Sequence, residues 1–380
     1  MTSASPSNAD LLRTPLHALH QELGARMVEF AGYAMPVQYA QGLLTEHRQT
    51  REHASLFDVS HMGQISISGP HAAAALESIL PVDIVDLAPH KQRYALLLNA
   101  SGGILDDLMV INRGVDYLLI VNASRKVQDL AWIEQHIGSI CTVQALPDMA
   151  LLALQGPQAS AAFHTLLPAS NTLLFMHGMP FDFEDAPAYA TRSGYSGEDG
   201  FEIAIPCGQA ASLARKLLAL QEVQPAGLGA RNSLRLEAGL CLFGSDMSAS
   251  TTPTQAALQW SIPKVRRLGG AREGGFIGAE VVLAQIAGQV PVPPTLRVGL
   301  QGLERVPVRD GTPLHLPDGP QVGTVTSGLL SPSLNAPIAM GYVATPHSAI
   351  STQLHAMVRG KPVRMEVVPM PFIGTRYRKS

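Results

Sequence analysis

The sequence predicts an α+β fold: a body of helices and mostly antiparallel strands up to about residue 290, followed by a separate all-β sandwich or barrel. Three observations predict it. Between residues 16 and 165, helix-like windows interleave with short apolar strands, but without the strict alternation that a doubly wound parallel sheet requires. The run from Leu96 to Asn122, LLLNASGGILDDLMVINRGVDYLLIVN, reads as successive hairpins joined by Gly/Asn turns. From about Pro291 onward helix signals nearly vanish, and short β-type runs are cut by Asp-Gly, Pro-Asp-Gly and Ser-Pro turns.

Along the chain, the opening MTSASPSNADLLRTPLH is polar with Arg13 as its only basic residue, so it resembles neither a secretory signal nor a transit peptide. Residues 1–11 are expected to be the disordered start of a cytoplasmic protein. Helices are expected over Thr45–Ala54, His71–Ile79 and Lys126–His136, where apolar residues recur at helical spacing. Strands are expected over Gln64–Ser68, Arg93–Leu98, Tyr117–Asn122 and Ala150–Gln155. A Gly-rich turn in RSGYSGEDGFEIAIP feeds a strand of alternating Phe201, Ile203 and Ile205. In GLGARNSLRLEAGLCLFG, Leu234, Leu236 and Leu240 suggest an apolar helix stripe. The Gly/Pro-rich span from GGAREGGFIGAE to GQVPVPPTL reads as a hinge, dividing a body of residues 12–288 from a β domain of residues 289–380.

Composition narrows the function. With 380 residues, 46% of them hydrophobic, the chain can bury a large core. A net charge of −3 and the lack of any long Lys/Arg run argue against nucleic acid as a partner. No stretch reaches the ~18 uninterrupted apolar residues of a membrane span. Cys141, Cys207 and Cys241 are odd in number and widely spaced, which argues against a disulfide framework or a zinc cluster and for a reducing compartment. His17, His20 and His61 have no third ligand at metal-site spacing, so no metal is expected.

Three motifs carry possible chemistry. In GGILDDLMV, Asp107 shares a strand face with Leu105, Met109 and Ile111, and Asp106 shares one with Ile104, Leu108 and Val110. Both faces are apolar, and an unpaired buried charge costs several kcal/mol, about as the cost of transfer from water implies. Either one carboxylate serves the Gly102-Gly103 turn or one faces a ligand pocket, and parity does not choose between the two residues. Glu198, flanked by glycines at a strand mouth, has the geometry to accept two parallel hydrogen bonds from an aminopyrimidine edge, against the alternative of a solvated turn acid. Arg231 begins a helix, where its charge opposes the dipole, so an anionic ligand or a neighbouring carboxylate is expected beside it; Arg235 suits either role. Ser196 lacks the closing glycine of a nucleophile elbow, and Asn232 occupies the third glycine position of a dinucleotide fingerprint, so acyl-transfer and NAD chemistry are set aside.

Six ordered stretches, TPLHALHQELGARMVEFAGYAMPVQY, HASLFDVSHMGQ, GGILDDLMV, RSGYSGEDGFEI, GLGARNSLRLEAGLCLFG and GTVTSGLLSPSLNAPIAMGYV, together resemble the T protein family of the glycine cleavage system, the tetrahydrofolate-dependent aminomethyltransferases. The resemblance runs from about Leu12 to Tyr377. It implies an N-terminal folate-binding body of two intertwined subdomains with mixed and antiparallel sheets, plus a C-terminal β-barrel, and tetrahydrofolate as co-substrate with neither metal nor nucleotide. It selects Asp107 as the catalytic carboxylate, Glu198 as the pterin-recognising acid, Arg231 as a folate-contacting base, and Tyr377 and Tyr195 as further ligand contacts. Two local departures stand out: Gly374 and Arg376 beside Tyr377, and Tyr33 where tryptophan is common. The implied partner is the lipoylated H protein, acidic in this family, with a docking patch expected near Lys264, Arg266, Arg267 and Arg272. Close competitors are folate-dependent demethylases of a small methylated amine or sulfonium compound; a non-catalytic folate-binding regulator is a further alternative.

Overall fold

A computed structural model describes residues 11–380, so the expectation of disorder over residues 1–11 lies outside the described ones except at Leu11, which is buried in the core rather than disordered. Two large sheets and a small one form the body. The chain opens with β1 (Leu12–Arg13), α1 (His17–Glu22), β2 (Arg26–Phe30) and β3 (Tyr33–Gln38), a small sheet ordered β1-β3-β2, and then enters α2 (Leu43–Glu52). There follow β4 (Ala54–Asp58), β5 (Gly63–Ser68), α3 (Ala72–Ile79), β6 (Gln92–Leu98), β7 (Ile104–Asn112), β8 (Tyr117–Val121), α4 (Lys126–Ile137) and β9 (Thr142–Ala145). The second half of the body contains β10 (Met149–Gln155), α5 (Ala159–His164), β11 (Gly178–Phe183), β12 (Ala186–Thr191), β13 (Gly200–Pro206), α6 (Cys207–Leu218), β14 (Val223–Pro225) and α7 (Leu228–Glu237).

One sheet is ordered β6-β7-β8-β5-β9 and is antiparallel throughout, as the hairpin reading of residues 96–122 requires. The other, ordered β11-β12-β13-β10-β4-β14, is antiparallel except for its edge pair β14-β4. The strands alternate between two apolar layers. Leu97, Leu108, Val110 and Leu119 turn outward onto α3 and α4, whereas Ile111, Leu118 and Ile120 turn inward against Phe57, Leu151, Ala153 and Tyr189 of the other sheet. Helices α5 and α6 cover the outer face of the second sheet around Phe163, Phe201 and Leu213. Each such side chain removed from water contributes about 1.5–3 kcal/mol.

The span read as a hinge also contains a helix, α8 (Ala279–Ile286). Its sequence AEVVLAQI follows Gly278, whose φ of +82° turns the chain into the helix, and Val282 and Leu283 bury against Leu96, Leu98 and Ile104. Beyond it, β15 (Thr295–Gly302), β16 (Pro313–His315), β17 (Gln321–Leu330), β18 (Pro337–Ala344), β19 (Gln353–Val358) and β20 (Lys361–Val368) close into a barrel ordered β15-β18-β17-β16-β19-β20, filled by residues including Leu300, Leu314, Leu354 and Met365. Closure removes the exposed edges an open sheet would present.

Helix α7 departs from the stripe expected of it. Leu234 packs between the two sheets, while Leu236, two residues on and so far round the helix, packs against Ile338 and Met340 of the barrel. Arg235 is buried beside them and donates to Asp246 at 2.7 Å and to Ser327 of β17 at 2.9 Å. One helix therefore serves two apolar cores and a polar seam.

Candidate active site

Sheet packing settles what strand parity left open. Asp106 shares the outward face of β7 with Leu108 and Val110 and is fully buried beneath α4; Asp107 shares the inward face with Met109 and Ile111 and is partly exposed. Neither serves the preceding turn. Asn99 does that, accepting hydrogen bonds from the Gly103 and Ser101 amides at 2.9 Å. Gly103 is obligatory there, since a Cβ would stand 1.8 Å from the Ala249 carbonyl oxygen.

Register supplies the partners of Asp107. Leu96 of β6 lies opposite Asp107, so Tyr94 is a diagonal neighbour on the same face, and its hydroxyl donates to Asp107 Oδ2 at 3.1 Å. Asn122, immediately after β8, donates its Nδ2 to Asp107 Oδ1 at 2.8 Å and to Asp106 Oδ1 at 2.9 Å. Burial and the neighbouring Asp106 charge push Asp107 up to about 7 against these donors. Asp106 and Asp129 of α4 are likewise both raised by burial, and neither oxygen of Asp129 has a hydrogen-bond donor among the described residues. A proton shared between these two carboxyls reconciles their burial with their proximity.

The loop between β12 and β13 divides its two acids. Asp199 forms a two-pronged pair with Arg192, Nε to Oδ1 at 2.9 Å and Nη2 to Oδ2. Glu198 is 1% exposed; its Oε1 receives Arg51 Nη1 at 2.8 Å and lies 3.4 Å from Arg376 Nη1, while its Oε2 is buried with no hydrogen-bond partner among the described residues. Gln155 braces this loop, accepting from Ser196 Oγ at 2.6 Å and donating to the Ser193 carbonyl at 2.9 Å; a Cβ on Gly194 would collide with it at 1.8 Å.

Tyr195 of the same loop donates its hydroxyl to the Cys241 carbonyl and presents its ring to Arg231, whose guanidinium carbon lies 4.7 Å from the ring centroid. Among the described residues Arg231 forms no salt bridge, and burial lowers its pKa. Tyr377 stacks on Phe175 at 4.0 Å with planes 5° apart, and burial pushes it up to about 12, with Glu198 and Glu202 adding to the effect and Arg51 opposing it. The tail carrying it is tied to the Glu198 loop by the Arg376 amide, which donates to the Gly197 carbonyl at 2.8 Å. The Tyr195 hydroxyl lies within electrostatic reach of both Asp107 and Arg231, and its loop carries Glu198 within such reach of Tyr377. Tyr33, the aromatic departure near the N-terminus, accepts from Lys126 Nζ at 2.5 Å and lies beside His61. His20 is held between Asp58 and Tyr39, at 2.9 Å from each.

The basic cluster is less open than its sequence suggests. Arg266 is buried and paired with Glu77 at 2.7 Å, and Arg272 reaches Glu77, Asp83 and Asp86. Arg267 donates to the Ile262 and Gln259 carbonyls at 2.7 Å, leaving Lys264 exposed. Sequence reasoning also missed Tyr94, Asn122 and Arg51. Tyr94 was accessible from the hairpin register; Arg51 gave no local signal, because its partner lies far along the chain.

Known proteins resemble this chain over nearly its whole length. The GCVT N-terminal domain matches residues 16–266, and the glycine cleavage T-protein C-terminal barrel domain matches residues 296–373. The chain is 40% identical to the mitochondrial aminomethyltransferase of Dictyostelium discoideum, over 98% of this chain and 95% of that one. It is 42% identical to that of Gallus gallus, over 97% and 94%. The crystal structure of glycine cleavage system aminomethyltransferase T from Bartonella henselae superposes with a TM-score of 0.90 at 43% identity, covering 97% of this chain and all of that one. With both halves matched and the similarity running almost end to end, the chain belongs to the glycine cleavage T-protein family.

Proposed function

We propose that Asp107, Glu198, Arg231, Tyr195 and Tyr377 form the site at which this aminomethyltransferase of the glycine cleavage system works. It takes the one-carbon unit from S-aminomethyl-dihydrolipoyl H protein, releases ammonia and forms 5,10-methylenetetrahydrofolate. The observation that carries the site assignment is Oε2 of Glu198, a buried carboxylate oxygen without a partner among the described residues, in a loop that also presents Tyr195 to Arg231. A buried acceptor left open is costly unless a ligand fills it, and the donor edge of a pterin has the matching chemistry. Arg231, a cation free of ion pairs among the described residues, suits a carboxylate or carbonyl of the same ligand.

Bound tetrahydrofolate supplies the nitrogens that receive the carbon, and two protons leave them as ammonia and the dihydrolipoyl thiol depart. Burial and the Asp106 charge raise the Asp107 carboxyl to about 7, which suits it both to stabilise positive charge on the transferred carbon and to pass a proton. Tyr94 and Asn122 hold its oxygens in place. Glu198 and Arg231 fix the second substrate relative to it, and that alignment of two large ligands supplies much of the acceleration. The demethylase alternative gains no support from relatives that are 40–42% identical over nearly the whole chain and carry the aminomethyltransferase name.

Three further readings belong with this one. The body spans residues 12–288 and the barrel domain 289–380, supported by the connection between Ile286 of α8 and Thr295 of β15. The lipoylated H protein docks near Lys264 and Arg267, with Arg266 committed to Glu77 instead. A cytoplasmic location is supported by three free cysteines, whereas the eukaryotic relatives carry a mitochondrial designation; no helix among the described residues is long and apolar enough to cross a membrane. The deciding experiment mixes the protein with tetrahydrofolate and aminomethyl-loaded H protein and measures ammonia. Absence of ammonia with both substrates bound overturns the reading.

A further inference from the structure

Glu237 is fully buried at the C-terminal end of α7, where a carboxylate opposes the helix dipole. It is nonetheless heavily engaged. From α2 it receives Arg51 Nη2 at 2.8 Å, Arg51 Nε at 3.2 Å and His47 Nε2 at 3.2 Å. From the barrel loop that follows β17 it receives Ser331 Oγ, the Ser333 amide at 3.1 Å and Ser333 Oγ at 2.8 Å. Burial pushes this carboxyl up, but the donors and the cations beside it outweigh burial and hold it down at about 2.

Arg51 faces two acids at once. Its Nε and Nη2 lie on Glu237, while Nη1 donates to Glu198 Oε1 at 2.8 Å and to the Ser196 carbonyl at 2.9 Å. A guanidinium is a rigid planar fork, so fixing two of its nitrogens on one carboxylate fixes where the third points. From this geometry we infer that the barrel loop Ser331–Ser333, acting through Glu237 and Arg51, sets the orientation of the Glu198 carboxylate. Glu237 and Arg51 are then positioning residues for folate, and the barrel is part of the folate site although it contributes to it through the body. The inference rests on the reading of Glu198 as the pterin acid.

The test measures the Kd of tetrahydrofolate and the KM of aminomethyl-loaded H protein for Glu237→Gln and for Ser331→Ala/Ser333→Ala, each also in a Glu198→Gln background. Expected values are a Kd raised at least about tenfold by Glu237→Gln and about fivefold by the serine pair, with KM for H protein within about twofold. In the Glu198→Gln background both effects vanish, because the relay then has nothing to orient. If Glu237→Gln does not fold, the serine variant decides, since it leaves both Glu237 and Arg51 in place. An unchanged Kd in the folded variants, a parallel rise in KM for H protein, or effects that persist in the Glu198→Gln background would overturn the inference. A Glu198→Gln protein with normal Kd takes down the reading of Glu198 and the relay together; a weakened Glu198→Gln with an unaffected serine variant takes down the relay alone.

Discussion

Replacing Asp107 by Asn removes a carboxyl held far above its ordinary range, and two quantities respond in opposite directions. Its carboxyl is raised from 3.8 to about 7 in the folded protein. A raised acid adds stability that is fully present below the unfolded pKa and is lost as pH rises through the folded one, so the loss falls between about 4 and about 7. At about 1.4 kcal/mol per tenfold change in proton affinity, that displacement is worth about 4 kcal/mol as an upper bound. Partial exposure of Asp107 and solvent screening reduce this to about 1–3 kcal/mol. The stability of Asp107→Asn relative to the parent should therefore rise by that amount between pH of about 4.5 and about 8, read as a Tm difference that widens by a few degrees. Turnover should fall about 100-fold or more, with tetrahydrofolate affinity changed by less than about tenfold, because the lost charge acts on the transferring carbon rather than on binding. Differential scanning fluorimetry across pH and a single-turnover ammonia assay measure the two. A Tm difference that stays flat with pH refutes the confinement of the carboxyl, and normal turnover refutes its catalytic role.

Five other outcomes follow. Glu198→Gln should raise the KM for tetrahydrofolate at least about tenfold with kcat nearly kept, since its open oxygen binds rather than reacts; a fall in kcat alone would contradict this. Tyr94→Phe removes a donor that favours the charged form of Asp107, so the pH profile of kcat should move its controlling pKa upward, by about a unit or less, with activity reduced about tenfold. Arg266→Ala leaves Glu77 buried without its closest partner and should cost about 3–5 kcal/mol in chemical denaturation, whereas Lys264→Glu should leave stability unchanged and raise the KM for H protein. Added salt should likewise raise the KM for H protein and leave that for tetrahydrofolate nearly constant.

Much of the architecture was legible because it follows from local pattern. The hairpins of residues 96–122 came from short apolar runs joined by Gly/Asn turns, and α3 and α4 start and end within a residue of the expected windows. The barrel was legible from the loss of helical periodicity after residue 291 together with dense turn signals. The helix α8 was hidden by the glycines and prolines around it; its burial against Leu96 and Leu98 outweighs those breakers.

The site divides in the same way. Composition and spacing determined that two adjacent acids lie on opposite faces of one strand, that a glycine-flanked acid opens another, and that an arginine sits at the start of a helix. Only the tertiary structure decided that the helix layer covers Asp106 and leaves Asp107 facing inward, that Asp199 takes Arg192 while Glu198 keeps an open oxygen, and that Arg266 belongs to Glu77 rather than to the surface. The physical reason is that strand and helix periods are properties of neighbouring residues, whereas the side a sheet presents and the partner a charge finds are settled by packing between segments far apart in the chain. Arg51 and Glu198, 147 positions apart and 2.8 Å from each other, are the clearest instance.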